Sequence, residues 1–112
     1  MEIVTEEDVE PVEAIDGVHL TQEATGEETS VQGFYIEPGA EVPEHSHPHE
    51  QAGVITAGTL TFVVDGEERQ VHAGDSYVIP GHEPHAAFNA GDVPVEGYDI
   101  FSPPRPNPDW QE

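Results

Sequence analysis

Eight short segments of alternating apolar and polar character, each closed by turn residues, leave this chain little alternative to β structure. They cover residues 18–25, 31–36, 51–56, 59–64, 69–72, 76–79, 85–88 and 95–101. Gly58, Gly74 and Gly91 mark reversals between them. Asp65-Gly66, between Phe62-Val63-Val64 and Glu67-Glu68-Arg69, reads as a two-residue hairpin turn, because both residues tolerate the positive φ that such a turn requires. No window sustains a helical period, and short strands at this spacing predict an all-β sandwich or small barrel. A chain of 112 residues suits one compact domain. Residues 1–16 predict an acidic arm or an extra edge strand, residues 17–102 the barrel, and residues 103–112 a proline-rich tail. That tail cannot form a central strand and is expected to wrap across the surface.

The charge limits the partners. The chain carries 24 acidic residues against two basic ones, Arg69 and Arg105, for a formal charge of −22, and it has no lysine. Self-repulsion of that size favours expansion unless salt screens it, and in molar salt the Debye length falls to about 3 Å. The composition is therefore expected of a halophile's cytoplasmic protein. The acid is spread through alternating strands, unlike the single block of an acidic disordered segment. Negative charge on this scale disfavours nucleic acid and anionic lipid as partners. The N-terminal residues lack the basic start and apolar core of an export signal, and no stretch approaches the ~20 apolar residues of a membrane span. Cysteine is absent, which excludes disulfides and thiolate ligands.

The chemistry concentrates in Glu44-His45-Ser46-His47-Pro48-His49-Glu50-Gln51, which places three imidazoles within five residues, directly before a strand-forming run. At i, i+2 and i+4 of an extended segment such side chains point to one side. Imidazole is the commonest protein ligand of divalent transition metals, so the chain reads as a metal protein. A further candidate is His85, at the start of a later strand.

The residues Gly39, His45, His47, Gln51 and Gly58 resemble the first cupin motif, with glutamine where that family more often has glutamate. Gly74, Pro80, His85 and Asn89 resemble the second, and His82 stands where that motif usually has glycine. The resemblance covers about residues 30–102. It implies a double-sheet jelly-roll barrel, often a homodimer, holding one divalent metal ion (manganese, iron, cobalt, nickel or zinc) on His45, His47, Gln51 and His85. Glu50 is the rival of Gln51, since a carboxylate binds hard or borderline cations better than a carboxamide does. The interval to Gly58 favours Gln51, and a one-residue shift would turn the side chain to the opposite face. By the same resemblance His49 falls just outside the ligand set, and His19 and His72 are expected on the surface.

A narrower resemblance lies at the C-terminus. Tyr98-Asp99-Ile100-Phe101-Ser102-Pro103-Pro104-Arg105 is similar to the small single-domain cupins of pectin and alginate breakdown, which process 4,5-unsaturated uronates. It implies a functional pair inside the barrel at Asp99 and Phe101, which alternation places on one face with Ile100 on the other. Asp99 would transfer a proton, Phe101 would stack on the sugar, and Arg105 would bind the substrate carboxylate. Arg105 also reads as a salt bridge to a nearby acid, Asp99 as one more solvated carboxylate and Phe101 as core. The leading expectation is a metal-dependent enzyme that opens a small anionic or oxygen-rich sugar acid to its linear keto form. A mononuclear metal dioxygenase and a non-catalytic binding module are the alternatives.

Overall fold

The computed structural model describes residues 1–105. Ten strands follow a short 3-10 turn at Glu6–Asp8: β1 Val12–Ile15, β2 Val18–Thr25, β3 Ser30–Ile36, β4 Glu41–His45, β5 Glu50–Ala57, β6 Thr59–Val64, β7 Glu67–His72, β8 Ser76–Ile79, β9 His85–Phe88 and β10 Val95–Ser102. No α-helix occurs among the described residues, so the all-β reading holds. The strands form a six-stranded sheet in the order β1-β2-β3-β10-β5-β8 and a four-stranded sheet in the order β4-β9-β6-β7, all pairs antiparallel. This is the double-sheet jelly roll that the motifs imply.

All eight expected segments are strands, and two more join them. β1 adds to the edge of the large sheet through Val12↔Leu20 and Glu13↔His19. β4 lies on the edge of the small sheet and pairs only with β9, which is why Pro43 is tolerated inside it. The Asp65-Gly66 turn has φ of 53° and 75°, as its hairpin requires. Of the proline-rich tail 103–112, residues 106–112 lie outside the described residues.

Between the sheets, Val18, Phe34, Ile36, Ile55, Leu60, Phe62, Ile79, Ala87 and Val95 form one apolar cluster. Burial of each larger member contributes about 1.5–3 kcal/mol. Alternation along β10 is strict: Val95, Gly97, Asp99 and Phe101 face inward, and Glu96, Tyr98, Ile100 and Ser102 face outward. Asn89, 1% exposed, donates Nδ2 to the carbonyls of Ile36 and Val93 and accepts at Oδ1 from the Gly91 amide, so it fixes the turn before β10 at no cost in unsatisfied groups.

Candidate metal centre and acid-lined cavity

The three histidines do not share a strand, which corrects the extended reading of this segment. β4 ends at His45, the chain turns through residues 46–49, and β5 starts at Glu50. The turn is needed because His45 and Gln51 come from different sheets. It is braced by the loop before β9, where the His82 amide donates to the His47 carbonyl at 2.7 Å. His82 itself has φ of 67°, the conformation for which glycine is usual. This brace brings the two motif loops, and with them His47 and His85, together.

His45, His47 and His85 converge so that one ring nitrogen of each lies within 4.8 Å of the others. Ring centroids are 4.3 Å apart for His45 and His85, 5.2 Å for His47 and His85, and 5.8 Å for His45 and His47. Each ring sets its Nδ1 against a backbone carbonyl, of Pro43, His49 and Glu83 respectively, at 2.8–3.1 Å. A carbonyl only accepts, so each Nδ1 carries the proton and each Nε2 is left with a lone pair. His85 is 3% exposed, and its Nε2 is buried without a hydrogen-bond partner. Burial, the leading cause in both, lowers the pKa of His47 and His85 and keeps them neutral.

Gln51 completes the cluster. It is 6% exposed and places Oε1 3.0 Å from His47 Nε2, whereas Glu50 is exposed, which favours Gln51 over Glu50. With Nδ1 protonated, His47 Nε2 and Gln51 Oε1 are two acceptors facing each other, an arrangement that a shared cation relieves. The donor set thus fits a divalent metal ion. His49 stays outside this cluster and stacks edge-on against His47 and Phe101. His72 is exposed, and the partly exposed His19 lies 2.7 Å from Glu37.

His45, His85 and Gln51 line a cavity of about 520 Å³ that reaches into the barrel between largely apolar walls. Asp99, Phe101 and Arg105 line the same cavity. Phe101 is 2% exposed and meets His47 edge-on at 5.6 Å, and the Arg105 guanidinium carbon lies 5.4 Å from the Phe101 ring centre. Burial pushes the Asp99 carboxyl up to about 6, although the Tyr77 hydroxyl, the Gln51 amide and the Arg105 charge all favour its ionised form. A buried carboxyl titrating near neutrality beside a metal-competent cluster can hold or release a proton at working pH.

Tyr77 was not among the expected site residues. Its hydroxyl donates to Asp99 Oδ1 at 2.5 Å, and burial and the Asp99 charge push its own ionisation far upward, so it remains a donor. The two residues are not strand neighbours, because Gly53 of β5 pairs with Asp99 on one side and Tyr77 on the other. A Cβ on Gly53 would stand closer than 3.0 Å to the Tyr77 Cζ, its hydroxyl and Asp99 Oδ1. The missing side chain is what lets Tyr77 reach across β5. Ser76-Tyr77-Val78-Ile79 signals a strand in the sequence, but the meeting with Asp99 depends on register.

The Cupin_2 family model, described as a cupin domain, matches residues 34–101. An H2HPP isomerase of Bacillus subtilis is 32% identical over 69 residues, covering 62% of this chain and 29% of that protein. The pectin degradation protein KdgF of Dickeya dadantii (strain 3937) is 34% identical over 70 residues, covering 60% of this chain and 61% of that one. The chain thus spans under two-thirds of the length of either relative. The structure of KdgF from Halomonas sp. superposes with a TM-score of 0.85 at 24% identity, covering 94% of this chain and 96% of that one. With the family match extending over more than half of its residues and the double-sheet barrel in place, the chain belongs to the cupin family.

Proposed function

We propose that this cupin is a sugar-acid isomerase that opens a cyclic 4,5-unsaturated uronate to its linear keto form. The observation that carries the reading is Asp99, a buried carboxyl titrating near neutrality on the wall of the cavity where His45, His85 and Gln51 converge. Similarity to KdgF, a pectin degradation protein, supports the substrate class. A divalent ion on His45, His47, His85 and Gln51 would supply Lewis-acid polarisation of a substrate oxygen. The chain's own groups supply the rest. Arg105 pairs with the substrate carboxylate, and Phe101 packs on the ring and excludes water. Asp99 exchanges a proton with carbon 4 while Tyr77 holds the carboxyl in place. The reaction balances without a co-reactant: the ring bond to carbon 1 breaks, the hydroxyl there loses its proton to give a carbonyl, and carbon 4 gains one proton as carbon 5 becomes a ketone.

Incubation of metal-loaded protein with freshly made 4,5-unsaturated galacturonate in high salt tests this by NMR. Ring opening faster than in buffer, and lost in Asp99→Asn, is the expected result; a rate equal to that of buffer removes this substrate. A second reading, an isomerase acting on a less polar substrate, is favoured by the mostly apolar cavity walls and the similarity to H2HPP isomerase. The reading includes a homodimer in the cytoplasm. The exposed Tyr35, Val78, Tyr98 and Ile100 on the outer face of the large sheet suit such a contact, and no helix among the described residues is long and apolar enough to cross a membrane.

A further inference from the structure

Whatever reacts in the cavity has to reach it, and burial shows where. Of the described residues that line the cavity, three are exposed: Ile15 on β1 and Pro43 and Glu44 on β4. Those two strands are edges of different sheets, β1 bound to β2 alone and β4 to β9 alone, and among the described residues no strand pairing joins them. A barrel whose strands pair all the way round has no such seam. The other seam, between β8 and β7, is filled on the inside. There Tyr77 of β8 packs on Phe62 with ring centres 4.7 Å apart, and β7 contributes nothing to the cavity wall.

A fault in the β1 ladder turns Ile15 to the cavity. Glu13 pairs with His19 and Ile15 with Val18, so Ala14 is an extra residue, and Ala14 and Ile15 together oppose the buried Val18. Plain alternation after Glu13 would send Ile15 to the same outer face; with the bulge, both Ala14 and Ile15 line the cavity. The turn that follows is pinned. The Glu37 amide donates to the Gly17 carbonyl at 2.8 Å, and a Cβ on Gly17, whose φ is 75°, would stand 2.6 Å from the Ala40 Cβ.

We propose that substrate enters between β1 and β4, and that Ile15, held at the lip by the β1 bulge, sets the width of this entrance. β1 lies before residues 34–101, which match the cupin family model, so the motif strands carry the candidate metal ligands while a strand outside them controls access. On the other lip, Pro43 and Glu44 directly precede His45, so the opening leads to the candidate metal centre. Isoleucine is stiff at χ1 and holds a defined width, and it puts no charge in the path of an anion in a chain with 24 acidic residues. The inference concerns access and goes beyond the sugar-acid reading, since it holds whichever acid reacts inside.

The chain has no cysteine, so Ile15→Cys carries a single thiol that a bulky maleimide labels after folding. Val93→Cys, 54% exposed and outside the cavity wall, is the control, and circular dichroism before and after labelling checks the fold. Two readouts need no substrate. With nickel bound, EDTA should extract the ion about 10-fold or more slowly from protein labelled at residue 15, and at the unlabelled rate from protein labelled at residue 93. In metal-free protein, phenylglyoxal should modify the cavity-lining Arg105 more slowly by a similar factor, while the exposed Arg69, the only other arginine, reacts as before. Ile15→Ala, which widens the lip, should speed both reactions. An unchanged rate in the labelled protein or in Ile15→Ala, or equal slowing by the label at residue 93, overturns the proposal; if the wild type binds no ion, the Arg105 rates decide. With 4,5-unsaturated galacturonate the label at residue 15 should also lower kcat/KM. A wild type that opens no uronate removes the sugar-acid reading and leaves the extraction and modification rates to decide on the entrance.

Discussion

Gly53→Ala is the smallest change that reaches the proton-handling pair without touching either member. Two effects oppose each other. Alanine restricts the unfolded chain more than glycine does, which favours folding by about 0.5–1 kcal/mol. Against that, the new Cβ would stand closer than 3.0 Å to Tyr77 and to Asp99 Oδ1, and overpacking of this kind costs about 1–3 kcal/mol. Once Tyr77 is displaced, Asp99 loses a hydrogen-bond donor while still buried, which costs about 1–3 kcal/mol more. The expected net is a destabilisation of about 1–5 kcal/mol in a domain whose total is about 5–15 kcal/mol. Urea unfolding of metal-stripped protein in high salt measures it. Gly53→Ala combined with Tyr77→Leu should be less destabilised than the sum of the two single variants, because the leucine vacates the contested space. A Gly53→Ala protein as stable as the wild type, with the double variant strictly additive, would refute the assignment of Gly53 as the gap through which Tyr77 reaches Asp99.

Three further outcomes follow from the same geometry. In metal-stripped protein the folded pKa of Asp99, about 6, lies above the ordinary 3.8, so the native state holds a proton that the unfolded chain has released. Stability from this group is full below about pH 3.8 and falls as pH rises through about 6, so Asp99→Asn should match the wild type near pH 3.5 and exceed it by up to about 3 kcal/mol at pH 8. Equal stabilities at pH 8 would contradict it. Gln51→Glu sets a second carboxylate beside Asp99 and should push the Asp99 carboxyl higher still, moving the pH-rate profile upward while the metal is retained; an unmoved profile would separate Gln51 from Asp99. Tyr98→Glu puts charge on the exposed outer face and should yield monomer by light scattering, whereas an unchanged mass would place any subunit contact elsewhere.

The sequence exposed the strands that alternate cleanly and concealed those that do not. β4, Glu41-Val42-Pro43-Glu44-His45, holds two acids and a proline and looks like a loop; only its place at a sheet edge makes the missing proline N–H harmless. β1, Val12-Glu13-Ala14-Ile15, is a short, mostly apolar edge strand with one neighbour. The regular spacing of His45, His47 and His49 suggested one face of one strand, yet the chain turns there, and the ligand geometry comes from the turn. The motif interval to Gly58 chose Gln51 over Glu50, and alternation set those two on opposite faces and Asp99 and Phe101 on the same one, because both pairs lie within unbroken strands. The contact of Tyr77 with Asp99 required strand register, which a single sequence does not encode in any local pattern.

The metal-competent cage is the centre of this account, and titration of EDTA-stripped protein with manganese, nickel or zinc in high salt measures it directly. One ion per chain is expected in the wild type, with binding abolished when His45, His47 and His85 are all replaced by alanine while the fold persists by circular dichroism. Wild-type protein that takes up no ion, or a triple variant that binds as the wild type does, would contradict it.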